Sequence, residues 1–133
     1  MAVLGFHAGF DRRGGDGGGG ADMNAYRLFR RAIGDNVVLI LDSGDHLRGF
    51  FGDSDAPSMT VWVNRDLPDA AAMFVLDHEL YHIRDTAKNW IWREIKANVY
   101  SGFLHPVGFC QVVRLSLTRA RLAGYWQRFR DGR

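Results

Sequence analysis

The stretch 78–82 reads His-Glu-Leu-Tyr-His and lies in an apolar segment that follows Pro68. Side chains four residues apart share a face on an α-helix, so this segment must be helical if its two histidines act together. Proline suits the first turn of a helix, and the spacing of apolar residues predicts a long helix over 68–84. The residues of its predicted core stripe are Ala72, Phe74, Val75, Leu80 and Ile83. Any fold of this chain therefore has to bury that stripe against other elements.

Length and composition indicate one globular domain. A chain of 133 residues is long enough for a single core, and 47% hydrophobic residues are typical of a globular protein. A formal net charge of +2 does not indicate a nucleic-acid partner. The single cysteine, Cys110, has no partner for an internal disulfide. Residues 1–10 lack a secretory signal and no apolar run has membrane-spanning length, so the sequence predicts a cytoplasmic protein that does not bind membranes.

The residues before the long helix predict an arm, a helix and a small sheet. Glycines between residues 14 and 20 predict a flexible arm over 1–21. A helix is predicted over 22–34, with Asp22 as its N-cap and Gly34 at its end. The predicted strands are 37–41, 47–51 and 59–63, with a hairpin turn at 43–45 and a loop at 53–58. The continuous apolar run 37–41 is expected at the centre of the sheet.

Two further helices are predicted after the long one. The first covers 89–104 and is stopped by His105-Pro106, and the second is a basic C-terminal helix over 108–130. A helix, three strands and three helices in this order predict an α+β fold. Residues 22–133 are expected to form one domain, in which the helix pair 68–104 follows the sheet.

The histidine spacing predicts a metal site on the long helix. His78 and His82 would bind one Zn²⁺ through their imidazole nitrogens, and Glu79 between them would take a proton from water. The alternative is a pair of exposed surface histidines without a metal. A catalytic zinc site needs a third protein ligand and an open position for water.

Two residues compete for the place of the third ligand. Glu94 is the only glutamate besides Glu79. It lies as far beyond Lys88 as His82 lies before it, so a helix pair that turns there would bring the two together. The alternatives are that Glu94 is a solvated carboxylate or that His105 is the ligand.

A neighbour of Glu94 is a candidate for a supporting role. Asn98 lies one turn further on the same face, from which its amide oxygen could accept a hydrogen bond from the non-ligating nitrogen of His78. The alternative is an ordinary surface amide.

Together these motifs resemble the ImmA/IrrE family of zinc peptidases. The family's pattern is His-Glu-x-x-His, then Glu-x-x-Ala-Asn on the next helix, then an apolar segment that closes with proline. Here the matching segments are 78–82, 94–98 and the run that ends at Pro106. The upstream segments 49–51 and 60–64 are also similar, and the resemblance covers about residues 22–106.

The resemblance implies a minimal zincin-like fold with one zinc ion per chain, held by His78, His82 and Glu94. It also implies that Glu79 is the general base of an endopeptidase. Members of the family typically cleave a helix-turn-helix repressor, which is therefore the expected protein partner. The chain departs from the pattern at Tyr81, where glycine is usual, at His105, where an apolar residue is usual, and in its basic tail.

The sequence leaves several roles open. His105 and Tyr81 are candidate donors to the oxyanion of the reaction, with Tyr81 rather expected to be a packing residue. The arginines of the tail are expected on a solvated face, or on a docking surface for an acidic partner or for nucleic acid near a repressor. These residues are Arg114, Arg119, Arg121, Arg128, Arg130 and Arg133.

The alternatives to a peptidase are a non-catalytic zinc module that sequesters its partner and a small DNA-binding protein. An intact Glu79 favours the peptidase, and the near-neutral charge argues against DNA binding.

Overall fold

The computed structural model describes residues 19–117 and confirms the α+β fold. The elements are α1 (Gly19–Gly34), β1 (Val38–Asp42), β2 (Gly52–Asp55), β3 (Thr60–Asn64), α2 (Asp69–Arg84), α3 (Trp90–Leu104) and α4 (Pro106–Ser116). The first helix begins before the predicted N-cap at Asp22, so the end of the predicted arm 1–21 is helical. The rest of that arm lies outside the described residues.

The strand β3 lies at the centre of the sheet. The strand order is β1-β3-β2, with β1 parallel and β2 antiparallel to β3. Val61 and Val63 of β3 are fully buried, whereas Val38 of β1 is 57% exposed. The prediction that the run 37–41 takes the sheet centre is therefore wrong. Parallel pairing needs a long connection, and here that connection contains β2, which covers the other edge of β3.

The predicted strand 47–51 and the hairpin at 43–45 are also wrong. Arg48 and Gly49 have φ angles of 52° and 80°, in the left-handed region, which interrupts a strand. The second strand therefore comes later, at Gly52–Asp55, and most of it lies in the predicted loop 53–58. The hairpin joins β2 to β3 through a turn in which Met59 has a φ of 51°.

The helix α2 is the central helix of the fold. It packs against β2 and β3 and against all three other helices. The core stripe predicted for this helix is confirmed, with Ile83 only partly buried. The core formed around it includes Leu28, Ala32, Val61, Val63, Ala71, Ala72, Phe74, Val75, Leu76 and Leu80.

A glycine brings α4 close to α2. A Cβ atom at Gly108 would collide with the backbone carbonyl of Ala70, so the two helices can approach this closely only with glycine at that position. Nearby, the side-chain oxygen of Gln111 accepts a hydrogen bond of 3.1 Å from the N–H of Ala71. That N–H belongs to the first turn of α2, where the helix itself offers no acceptor.

The helices α3 and α4 follow each other almost without a loop. The Asn89 side chain caps α3 by accepting hydrogen bonds from the N–H groups of Ile91 and Trp92. His105 separates the two helices, and α4 begins at Pro106, before the predicted start of the basic helix 108–130. Of the tail arginines, Arg114 lies in α4 and the others lie outside the described residues. No helix within 19–117 has the length and apolarity that crossing a bilayer requires.

Candidate metal centre

The helices α2 and α3 bring three side chains together. His78 and His82 project from the same face of α2, and their Nε2 atoms are 3.0 Å apart. Glu94 of α3 faces both, with Oε2 at 3.5 Å from Nε2 of His78 and Oε1 at 3.1 Å from Nε2 of His82. These are the three residues predicted as metal ligands. Within residues 19–117 they are the one group of histidine, cysteine and acidic side chains whose donor atoms are close enough to hold a metal ion.

The distances between the donor atoms fit a tetrahedral metal ion. Zinc binds imidazole nitrogen and carboxylate oxygen at about 2.0–2.2 Å, so two ligand atoms on a tetrahedral ion lie about 3.3 Å apart. The two histidine nitrogens lie 3.0 Å apart, and the two oxygens of the Glu94 carboxylate lie 3.1 Å from His82 and 3.5 Å from His78, which is close to that value. Three protein ligands on such an ion leave a fourth position for water or substrate. The donor set therefore fits a zinc site of the catalytic type.

Glu94 and His82 stabilise each other's charged forms. Hydrogen bonds from His78 and His82 hold the pKa of Glu94 well below its ordinary value. The hydrogen bond with Glu94 raises the pKa of His82, against the opposing effect of burial. Without a metal the cluster therefore favours a carboxylate beside a protonated imidazole. A divalent cation would displace that proton, because a ligating histidine is neutral.

The supporting contact predicted for Asn98 is not formed. The Nδ1 atoms of His78 and His82 are buried and have no hydrogen-bond partner in the described part of the chain. Asn98 instead donates from Nδ2 to the backbone carbonyl of Glu94 at 2.8 Å. This carbonyl lies one turn away on the same helix, so the Asn98 amide reaches it more easily than it reaches His78 on the facing helix. Asn98 does line the cavity in front of the cluster.

Glu79 lies beside the cluster and is held by the sheet. Ser54 of β2 donates a hydrogen bond of 2.7 Å from its Oγ to Oε2 of Glu79. Burial raises the pKa of Glu79, and the charge of His78 and the Ser54 hydroxyl oppose this rise. A carboxylate whose pKa is raised is better able both to accept and to return a proton during a reaction.

The cluster opens into a cavity of about 660 Å³. The end of the 43–51 turn and β2 form one wall, and α3 and α4 form another. Side chains on these walls include Phe50, Phe51, Ser54, Trp90, Arg93 and Val112. The cavity thus combines aromatic and aliphatic walls with the charged and polar side chains of the cluster, as is expected of a site that binds a ligand.

The absence of a side chain at Gly52 lets β2 lie directly on α2. A Cβ atom there would be 2.6 Å from Cγ1 of Val75 and 3.1 Å from Cγ of Glu79. Both distances are shorter than ordinary carbon–carbon contacts. The close packing of β2 is what brings Ser54 within reach of Glu79.

His105 is not part of the cluster. Its Nε2 lies 2.6 Å from Oδ2 of Asp77, and Arg31 donates to Oδ1 of the same carboxylate at 3.0 Å. Asp77 is only 3% exposed, and a buried carboxylate requires such partners. The structure therefore supports neither role predicted for His105, as rival ligand or as oxyanion donor.

Tyr81 is a packing residue, as the sequence led us to expect. Its ring lies 5.4 Å from that of Tyr100, and Nζ of Lys96 lies 5.9 Å from its centre. It lines other surface hollows but does not line the cavity beside the His78, His82 and Glu94 cluster.

Sequence reasoning missed three residues around the site. The sequence predicts a loop at Ser54 and gives no indication that this residue faces Glu79. Arg93 donates from Nη2 to the carbonyl of His82 at 3.1 Å and ties α3 to the end of α2, a contact without a sequence signal. Asp77 did have a sequence signal, because an acidic residue in an apolar helix segment needs buried partners.

No family model, curated protein or solved structure matches this chain. The functional interpretation therefore rests on the geometry of the site and on the resemblance of the sequence motifs.

Proposed function

We propose that the chain is a zinc-dependent peptidase in which His78, His82 and Glu94 bind the metal and Glu79 is the general base. The observation that carries the proposal is the convergence of three side chains from two helices, with the two histidine Nε2 atoms 3.0 Å apart and each within 3.5 Å of one oxygen of the Glu94 carboxylate. The side chains of the two histidines are only 14% and 11% exposed, which argues against a pair of surface histidines.

The chain's own residues supply the proton transfers. Zinc, when bound, supplies a Lewis acid that polarises a peptide carbonyl and makes a water molecule more acidic. Glu79 accepts a proton from the attacking water and later donates it to the amine that leaves. Burial of this carboxyl suits both steps, because it raises the pKa of Glu79. A purely structural zinc site closes with four protein ligands, whereas three converge in the described residues.

The proposed substrate is a helix-turn-helix repressor in the cytoplasm, as the ImmA/IrrE resemblance implies. The cavity suits a polypeptide, because aromatic side chains stand exposed at its walls. Phe50 is 41% and Trp90 is 71% exposed. The proposal includes no direct contact with nucleic acid or membrane.

A module that sequesters its partner without cleavage is the second candidate. The outer side of α3 favours it, because Trp92, Val99 and Phe103 are exposed there, Phe103 at 86%. Exposed apolar side chains grouped on one helix commonly contact another protein.

The test compares the wild type with Glu79→Gln, which keeps the shape of the side chain but cannot accept a proton. Each zinc-loaded protein is incubated with the candidate repressor, and fragments are identified by mass spectrometry. We expect cleavage by the wild type, a rate about 10²–10⁴ lower for Glu79→Gln, and loss of cleavage with a chelator that added zinc reverses.

Other outcomes decide between the alternatives. Equal cleavage by both proteins would assign the activity to a contaminating protease or to another base. If neither protein cleaves the repressor but both bind it and release its operator, the sequestering module is the better interpretation.

A further inference from the structure

Ser54 occupies a defined position above the metal-binding helix. It lies on β2, which pairs antiparallel with β3 and places Ser54 opposite Val61. Alternate residues of a strand point to opposite faces, so Gly52 and Ser54 face the same way. Gly52 packs on Val75 and Glu79 of α2, and the burial of β2 alternates accordingly, with Asp53 exposed. The face of β2 that carries Ser54 is therefore turned toward Glu79.

The hydrogen bond between these residues constrains the carboxylate. The distance of 2.7 Å from Oγ of Ser54 to Oε2 of Glu79 is typical of a strong O–H···O bond. A glutamate side chain has several rotatable bonds, and their torsion angles decide where the carboxylate lies. That placement matters for a group that must take a proton from a reacting water. A donor fixed in a strand holds one carboxylate oxygen and leaves the other free to accept.

We propose that Ser54 is a positioning residue, which holds the Glu79 carboxylate in the orientation that proton transfer requires. This inference rests on the proposed peptidase function. Ser54 neither binds the metal nor exchanges a proton with substrate. Its hydroxyl acts through Glu79, so its removal should slow the chemical step without weakening zinc or substrate binding.

The experiment compares Ser54→Ala and Ser54→Thr with Ser58→Ala. Threonine keeps the hydroxyl and suits a strand. Ser58 is the matched control, because its hydroxyl bonds to Asp55 and Thr60 in the turn after β2, away from Glu79. For Ser54→Ala we expect kcat to fall about 10-fold or more with KM and zinc affinity unchanged. Ser54→Thr should recover most of the rate, and Ser58→Ala should match the wild type.

A second measurement does not depend on cleavage. The chain has only two glutamates, so protein labelled with ¹³C at the glutamate carboxyl carbon gives two carboxylate signals, and Glu79→Gln identifies one by deleting it. Ser54→Ala should shift the Glu79 signal and leave that of Glu94 in place, in both zinc-free and zinc-loaded protein. Ser58→Ala should move neither signal.

The outcomes separate this inference from the proposed function. If the wild type cleaves, Glu79→Gln does not, and Ser54→Ala is as fast as the wild type, the positioning role is refuted while the peptidase stands. A Glu79 signal that Ser54→Ala leaves unchanged also overturns the inference. If the wild type cleaves nothing, the peptidase proposal fails, and the positioning role for its reaction fails with it, even if the carboxylate signal shifts.

Discussion

Nε2 of His82 and Oε1 of Glu94 lie 3.1 Å apart across the contact between α2 and α3. That contact is close because Ala97 of α3 is fully buried and adds almost no bulk between the helices. Further along, Lys96 pairs with Asp85 at 2.7 Å, which ties α3 to the end of α2. Helix packing therefore holds the three proposed ligands close together. Preorganisation of this kind would lower the entropy lost on binding an ion.

The first prediction concerns metal content. The wild type should bind one zinc ion per chain, and the double variant His78→Ala, His82→Ala should bind none, because a single carboxylate remains. Metal analysis of purified proteins measures this. His46→Ala is the control, since His46 is exposed and pairs with Asp42 outside the cluster. Stoichiometric zinc in the double variant would refute the proposed site.

The second prediction separates the two residues that the sequence offered as third ligand. Glu94→Ala should weaken zinc binding by more than about 10²-fold, the upper end of the loss typical for supporting residues alone. His105→Ala should leave zinc affinity near that of the wild type. It should instead lower the free energy of unfolding by about 1–3 kcal/mol, because Asp77 stays buried with one partner fewer.

Chelator competition and urea unfolding measure these two effects. The reverse order of zinc affinities would make His105 the ligand and would contradict the distances in the structure.

The grouping of His78, His82 and Glu94 could be predicted from the sequence, because it depends on helical periodicity and on the length of one connection. His78 and His82 share a face by spacing, and Glu94 follows from the length of the connection between two helices.

The sheet is predicted less accurately from the sequence than the helices are. The run 37–41 is apolar, yet hydrophobicity does not tell which strand pairs on both sides. The left-handed conformation of Arg48, which moves the second strand to β2, has no signal in a residue of that type. Consequently the contact of Ser54 with Glu79, which depends on strand position, was not foreseen.

The third prediction concerns pH. The pKa of His82 is raised by Glu94 above its ordinary value of about 6.5. Below the raised value, metal-free protein holds the imidazole protonated, so zinc must displace that proton and its apparent affinity is weakened. Zinc affinity should therefore increase with pH and level off above the raised pKa. The stabilisation of metal-free protein by the His82–Glu94 pair should be complete between the ordinary pKa values of glutamate and histidine. It should be lost as pH rises through the raised pKa of His82, and lost in acid as Glu94 becomes protonated.

Calorimetry in buffers of different ionisation enthalpy counts the protons that zinc binding releases. The number of protons released per zinc ion should approach one at pH values below the raised pKa of His82 and decline above it. In Glu94→Ala the pH dependence of proton release should shift to lower pH, because the cause of the raised pKa is gone. Proton release that does not change with pH would contradict the coupling between His82 and Glu94.

The fourth prediction concerns the packing of β2 on α2. Gly52→Ala would place a Cβ atom 2.6 Å from Cγ1 of Val75 and 2.9 Å from the carbonyl oxygen of Trp62, so β2 or α2 must shift. Overpacking of this kind usually lowers the free energy of unfolding by about 1–3 kcal/mol. Because the added atom would also lie 3.1 Å from Cγ of Glu79, cleavage should fall further than stability alone explains. Zinc affinity should stay near wild type, since the proposed ligands lie on α2 and α3.

Gly34→Ala is the control, because a Cβ there meets nothing within 4 Å and stability should change by less than about 0.5 kcal/mol. Equal urea midpoints for the two variants would mean that β2 does not lie against α2 as described.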